Sequence, residues 1–500
     1  MVRSRVPAPL GRLIDWAFLG AAGPGLVALC GLAAFGTVLA TATLFADGDT
    51  FWHLAAGEWI LRHGAVPTTD PFSYTFAGAP WNAHEWLAEL VMSLAFRAAG
   101  WSGLAVLFAA AFGATAVVLA AYLRRWLAPA PLLLAAGLAL ACSLPSLLAR
   151  PHLLALPLLA AWFAGLICAR EERRAPSWTL VPLMLAWANL HGSFVFGLAL
   201  IAPFALEALI EDRKRPWPVV RDWGLFALAA LAMALVNPHG LEGLIFPLKL
   251  TSMNSLPIIR EWRSSDFGRP SAFEAALLGA VFLCLWRGVK IPVLRLVLLL
   301  ALMHMALQHM RHQAVFALAG AMLLAQPLSR TGTGTPLIPK RRVGGWPGSA
   351  AATAAACVAL VAAAGWRLSV PIVRTDAVNA PISALAAVAP GLAGQPVFNE
   401  YAFGGYLIFK GVRPFIDGRA DMYGDRFMHI YAGMARPDLA VLRPELEGRR
   451  IAWTILSARN PAVAVLDAMP GWRRLYADKF AVVHVRREAA DAQGRARRAP

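Results

Sequence analysis

The sequence predicts a mainly α-helical fold: a polytopic transmembrane helical bundle of about 11–13 spans with a small C-terminal α/β domain outside the membrane. Three observations carry this. Of the 500 residues, 58% are hydrophobic and only 15% charged, with a mean hydropathy of +0.57, too apolar for a soluble globular chain. Apolar runs of about 17–22 residues recur through the first three quarters, each long enough to cross a hydrocarbon core of about 30 Å. Past residue 371 the pattern changes to short β-like runs (QPVFNEYAFGGYLIF, VRPFIDG, KFAVVHVR) alternating with helical ones (PISALAAVA, PAVAVLDAM).

The spans read, in order, as 24–45, 101–122, 130–148, 152–169, 177–190, 193–211, 222–236, 271–287, 291–307, 312–328 and 349–370. The segment HEWLAELVMSLAFRAAG (84–100) is apolar but short, and it carries Glu85, Glu89 and Arg97. Its placement decides the side of everything after it. With 84–100 lying along the interface or re-entrant, the basic clusters at Arg124–Arg125, Arg170 with Arg173–Arg174, 212–215, 287–290 and 340–342 share the side of the basic N-terminus, as the positive-inside rule requires. A crossing helix there would put them all on the opposite side. The expectation is therefore a multi-pass protein of a bacterial inner membrane with a cytoplasmic N-terminus. Residues 1–330 form the transmembrane module with its first external loop at 46–100, 331–348 a cytoplasmic linker, and 349–370 the last span. Residues 371–490 form a periplasmic domain and 491–500 a disordered tail. The leading MVRSRVPAPLGRLIDW reads as an uncleaved anchor.

The formal charge of +17 lies in short clusters between apolar runs, which is the pattern of cytoplasmic loops, and no nucleic-acid partner is expected. The cysteines, Cys30, Cys142, Cys168, Cys284 and Cys357, all sit in apolar runs without ligand-like spacing, which predicts neither a disulfide framework nor a zinc site. Charges are nearly absent from mid-span positions, which argues against an ion-coupled transporter.

On this topology no histidine falls in an inside loop. His53, His63, His84, His152, His191, His239, His309 and His312 lie in outer loops or at outer span ends, His304 lies near one, and His429 and His484 belong to the external domain. Such one-sidedness is how a polar cavity open to the outside would look.

The first external stretch, DGDTFWHLAAGEWILRHG (47–64), follows the first span with Asp47 and Asp49 and then an amphipathic helix bearing His53. Carboxylates at a span exit can act as general base towards an incoming hydroxyl, or hold a divalent cation such as Mg or Mn. In HGAVPTTDPFSYTFAGAPWNAHEWLAE (63–89), Asp70 reads as a turn residue, and His84 and Glu85 as caps or site groups beside aromatics that suit a sugar ring. Further outer corners supply Arg150 and His152 (ARPHLL), Asn189 and His191 (WANLHGSF), Asn237 and His239 (NPHG), Arg260 and Arg263 (IREWRSSD), and Arg311 and His312 (QHMRHQ). Arginine there suits bidentate bonding to phosphate. Asp417, Arg419 and Asp421 read as a turn network.

In this layout the sequence resembles the GT-C superfamily of polyprenyl-phosphate-sugar-dependent glycosyltransferases, which includes oligosaccharyltransferases, protein O-mannosyltransferases and aminoarabinose transferases. DGDTFWHLAAGEWIL is similar to that family's acidic first external loop, PFSYTFAGAPWNAHEWLAELV to its second juxtamembrane segment, and LPSLLARPHLLALPLL to the region of its second external loop. The resemblance implies that Asp49, or Asp47, engages the acceptor, and that Arg150 and His152 stand at phosphate- or metal-contacting positions. Where some relatives carry a second acidic motif this chain has RPHLL, which favours histidine and arginine as phosphate partners. The implied partners are a polyprenyl-phosphate-linked sugar, a glycan, lipid or protein acceptor, and membrane lipid. Two other classes remain open at this level: a lipid-linked saccharide flippase or binding protein without chemistry, and an envelope-assembly protein that binds through its external domain.

Overall fold

The structure, a computed structural model, describes residues 23–330, 349–436 and 438–487, with Arg260 described only in its backbone. The expected N-terminal anchor, the 331–348 linker and the 491–500 tail lie outside the described residues.

Helices stand at every expected span. Among the described residues five are long and apolar enough to cross a bilayer alone: Trp86–Leu123, Pro151–Glu171, Phe194–Glu211, Pro216–Leu235 and Ala350–Ser369. Shorter apolar helices, Pro24–Ala40, Pro129–Ala141, Trp178–Leu190, Ala272–Trp286 and Val293–Gln308, stand between them, and Gln313–Leu328 is largely buried among them. The chain is an integral multi-pass membrane protein with a small C-terminal mixed sheet.

Some span boundaries depart from expectation. The first helix stops at Ala40, not 45. The helix Pro129–Ala141 gives way to a 3-10 turn at Leu144–Ser146, because Pro145 has no N–H with which to continue an α-helix. The helix expected to start at 222 starts at Pro216, a residue suited to a first helical turn.

The segment 84–100 is separated from the span after it. The helical run Trp86–Leu123 is broken at Ala99 and Gly100, and Gly100 has φ 57° and ψ −143°, a conformation that costs glycine little and other residues much. Residues 86–98 thereby lie against the helix Asp49–His63, to which Ser93 is tied by a 2.8 Å bond from its Oγ to the carbonyl of Leu54.

The helix Pro151–Glu171 forms the centre of the bundle, with 61% of its most apolar stretch buried, whereas Ala350–Ser369, at 6%, stands at its edge. Around the centre Phe108, Phe112, Trp162, Phe163 and Phe204 are fully buried in one apolar cluster. At the end of the bundle away from Asp47, Arg295 donates to Glu207 at 3.1 Å and Arg170 pairs with Glu211 at 2.8 Å.

The C-terminal domain is a four-stranded sheet of order β1-β2-β4-β3, with β1 Val397–Asn399, β2 Trp453–Ser457, β3 Trp472–Ala477 and β4 Ala481–Arg486. β1 is parallel to β2 and the other pairings are antiparallel. Helices Ala420–Ala435, Leu439–Gly448 and Ala462–Ala468 supply the apolar side chains that cover it.

This domain is joined to the loop around Asp70 by a buried ion cluster. Arg419, 1% exposed, donates Nη1 to Asp70 at 2.7 Å and Nε and Nη2 to Asp417 at 2.8 and 2.7 Å. Tyr423 donates its hydroxyl to the same Asp417 at 2.6 Å. Asp70 also accepts from the Phe72 N–H at 2.9 Å, the turn expected of it. Packing continues through Phe51, whose ring lies 5.2 Å from that of Tyr406 on the helix Gly404–Phe409.

Candidate functional site

The local chain fixes the acidic pair first. Asp47 accepts the N–H of Asp49 at 2.7 Å and so closes the start of the helix Asp49–His63, leaving the Asp49 carboxylate in its first turn. Two bonds then hold this corner against the next external turn: Ala149 N–H donates to the Leu44 carbonyl at 2.8 Å, and Thr50 Oγ1 donates to the Ala149 carbonyl at 3.0 Å. Arg150, the residue before Pro151 and its helix, is thereby set over the acids.

Arg150 is surrounded by carboxylates. Its Nη2 lies 2.9 Å from Asp49 Oδ2, and its Nη1 lies 2.8 Å from Glu261 Oε2 and 3.5 Å from Asp47 Oδ2. Arg311 approaches the other side of Glu261 at 3.5 Å and lies over the Trp262 ring, 4.3 Å from its centroid. The turn Arg260–Trp262 is tied to the 309–312 corner by His309, whose Nδ1 is 2.7 Å from the Trp262 carbonyl, and by the Met310 N–H to the Arg263 carbonyl at 3.0 Å.

A second group stands beside the first. Glu85, at the start of the helix Trp86–Leu123, has His191 Nε2 at 3.5 Å, His53 Nε2 at 3.8 Å and His84 Nε2 at 3.9 Å. His53, 1% exposed, also contacts Glu89 through Nδ1 at 3.3 Å. His152 holds the Ser146 carbonyl through Nε2 at 2.8 Å, with its ring 6.4 Å from that of His191.

Burial dominates the electrostatics. It pushes the Asp49 carboxyl up to about 7, with Asp47 and Glu261 adding to the rise while Arg150 and the adjacent Trp52 oppose it. Burial also raises Glu85 to about 7, against the pull of Arg150 and Arg311. Glu261 behaves in the opposite sense: burial would raise it, but Arg150 and Arg311 outweigh that and hold it at about 2. His53, His84 and His191 are pushed down by burial, with neighbouring arginines adding to the effect, so they are neutral imidazoles near pH 7. Arg150 is part-buried yet raised, because Glu261, Asp49 and Asp47 outweigh its desolvation.

Of the residues singled out in the sequence, Asp47, Asp49, His53, His84, Glu85, Arg150, His152, His191 and Arg311 come together here. Others are engaged elsewhere. Asn189 accepts from Trp86 Nε1 at 2.8 Å and donates to the carbonyls of Leu185 and Val236, so it ties helices together. Asn237 closes its own turn by accepting from the His239 N–H and donating to the Ala234 carbonyl. His312 bonds the Met305 carbonyl at 3.3 Å. Arg263 is exposed and donates to the Pro257 carbonyl at 3.0 Å. The Arg260 side chain is outside the described residues.

The residue that sequence reasoning missed is Glu261, which stands between the two arginines taken as candidates in IREWRSSD. Glu261 reaches Arg150 from a different loop, so the corner that carries Arg150 and His152 has a carboxylate beside it. The C-terminal domain packs against the acidic pair from one side. A side chain at Gly418 would collide with Asp49 Oδ1 and meet Trp52 Nε1, so any larger residue there must displace the Asp49 carboxylate. The arrangement does not fit a resident divalent cation: the guanidinium of Arg150 already stands between Asp47, Asp49 and Glu261. Among the described residues no group of three or more His, Cys, Asp and Glu converges as metal ligands.

No protein-family model matches the chain, and no curated protein matches it. Over most of its length the chain is similar in structure, at low identity, to two GT-C membrane glycosyltransferases. One is ArnT from Cupriavidus metallidurans. Its structure bound to undecaprenyl phosphate is 14% identical with a TM-score of 0.46, the match covering 92% of this chain and 97% of that one. Its apo structure is 13% identical with a TM-score of 0.48, covering 96% and 98%. The other is the Archaeoglobus fulgidus oligosaccharyltransferase tethered with an acceptor peptide, 11% identical with a TM-score of 0.48, covering 86% of this chain and 68% of that one.

Proposed function

We propose that this pocket transfers a sugar from a polyprenyl-phosphate carrier to a glycan, lipid or protein acceptor, with inversion, on the outer face of a bacterial inner membrane. The observation that carries the reading is the part-buried Asp49–Arg150 contact at 2.9 Å, with a carboxyl raised to about 7. A base of that affinity is partly ionised at neutral pH and can take a proton from a hydroxyl. The acceptor oxygen bonds to the anomeric carbon as the bond from that carbon to the phosphate oxygen breaks. The proton passes to Asp49 Oδ, and the phosphate departs with the bonding pair.

The departing phosphate gains negative charge, and Arg150 and Arg311 supply the compensating donors in a site with little water. Asp49 and Arg150 act together. Once Asp49 is protonated, its hold on the guanidinium weakens and Arg150 is released towards the phosphate. The neutral imidazoles of His53, His84 and His191 bond sugar or phosphate oxygens without adding charge. An apolar groove of about 600 Å³ lined by Trp86, Leu87, Leu185, Ala186, Val236 and Pro238 suits the isoprenoid chain.

The test is turnover in proteoliposomes with a panel of polyprenyl-phosphate sugars, reading release of free polyprenyl phosphate. Wild type releases it from at least one donor and Asp49→Asn, folded and inserted, does not. Equal release by the two proteins removes the assignment.

A further inference from the structure

A second cavity, of about 370 Å³, lies where the helices Pro24–Ala40 and Ser349–Ser369 end, between Val38, Leu39, Phe45, Ile372, Arg374 and Thr375. Its charged wall is Arg374. That guanidinium donates Nη2 to the Phe45 carbonyl at 2.9 Å, and its Nε is buried without a partner. It lies 5.3 Å from the Trp101 ring centroid and 5.7 Å from that of Phe45. The acid nearest in sequence, Asp376, is taken up by Ser383, whose N–H and Oγ bond it at 2.8 and 2.5 Å. Burial lowers the Arg374 pKa, the mark of a cation short of counter-charge. Val370 and Val373 stand exposed beside the cavity, the latter at 81%. Apolar side chains left uncovered next to membrane-spanning helices face acyl chains, not water.

We propose that this cavity binds the phosphate of an anionic membrane phospholipid, with Arg374 as the cationic partner, the Thr375 hydroxyl as a second donor, and Val38, Leu39 and Ile372 against the acyl chain. The shared chemistry is a phosphate oxyanion, and the exposed valines favour the lipid source over a free ion. The site is distinct from the Arg150 cluster. It touches the first external loop through the Phe45 carbonyl, which also accepts from Asn379 Nδ2 at 3.0 Å, so a bound headgroup steadies the chain just before Asp47. The inference does not depend on the transfer reaction.

The experiment is native mass spectrometry of the full-length protein, delipidated in detergent and titrated with dioleoyl phosphatidylglycerol, dioleoyl phosphatidylcholine or inorganic phosphate. Wild type binds phosphatidylglycerol more tightly than phosphatidylcholine, and Arg374→Gln weakens the former about fivefold, as expected for one basic group near a lipid surface. Arg374→Lys retains most of the preference. Ile372→Trp, which fills the cavity and leaves the charge, also reduces phosphatidylglycerol binding and serves if Arg374→Gln does not fold. Unchanged phosphatidylglycerol binding in Arg374→Gln or Ile372→Trp overturns the proposal. Binding of inorganic phosphate with the same Arg374 dependence overturns the lipid and leaves a small-anion site.

Discussion

Arg150 Nη2 lies 2.9 Å from Asp49 Oδ2 while its Nη1 lies 2.8 Å from Glu261 Oε2, so one guanidinium joins three separate loops. A planar fork can serve both acids at once and an ammonium cannot. Arg150→Gln is expected to lower sugar transfer about a hundredfold or more, on the scale of losing one transition-state donor. Arg150→Lys recovers only a small part of it. Rates of polyprenyl phosphate release in proteoliposomes check both.

The pH profile follows from the raised acids. Asp49 must be ionised to accept a proton, and its carboxyl titrates at about 7, so transfer rises with pH through 7 and then levels. For stability the sign is opposite. Asp49 and Glu85 both hold protons more tightly folded than unfolded, so their contribution is fully present below their ordinary carboxylate range and is lost as pH rises towards 7. Initial rates and thermal midpoints across pH 5–9, on the order of half-unit steps, separate the two effects.

Arg419 lies between Asp70 and Asp417 with all three side chains buried. Replacing it with methionine leaves two unpaired acids in the interior, a change that costs about 3–5 kcal/mol. Loss is expected in the thermal midpoint and in the association of the C-terminal domain with the first loop, read by limited proteolysis. Replacing exposed Arg62, which pairs with Glu58 on the surface, has little effect by the same measures.

Gly418→Ala places a methyl group against Asp49 Oδ1. The variant is expected to insert and fold, since Arg419 and Asp417 remain, but to lose transfer by displacing the carboxylate. Near-wild-type rates in Gly418→Ala would show that the C-terminal domain does not set the position of Asp49.

Much of the site was legible because apolar spans carry few charges, so the polar residues that remain at their outer ends stand out. Asp49, His53, Glu85, Arg150, His191 and Arg311 were visible for that reason. Glu261 was not, because its partner is Arg150, more than a hundred residues away, and nothing in its own loop sets it apart from Arg260 and Arg263. Glu89 had a usable signal: it follows Glu85 by one helical turn on an otherwise apolar segment, which puts both on the face towards His53. Asp417, Arg419 and Asp421 read as a local turn network; Asp421 stands near His84 and Glu85, whereas Asp417 and Arg419 pair with each other. Their link to Asp70 is a contact between domains that no local pattern displays. The helix ends shifted where Pro145 and Pro216 acted as stop and start signals inside runs read mainly for hydropathy.

The position of a bound polyprenyl phosphate decides whether Arg150 and Arg311 receive it. In a cryo-EM map of the full-length protein with that lipid, its phosphate is expected within hydrogen-bonding reach of Arg150 or Arg311, with the chain leaving along the groove beside Trp86. A phosphate held at the far end of the bundle, beside Arg170 or Arg295, would contradict the account.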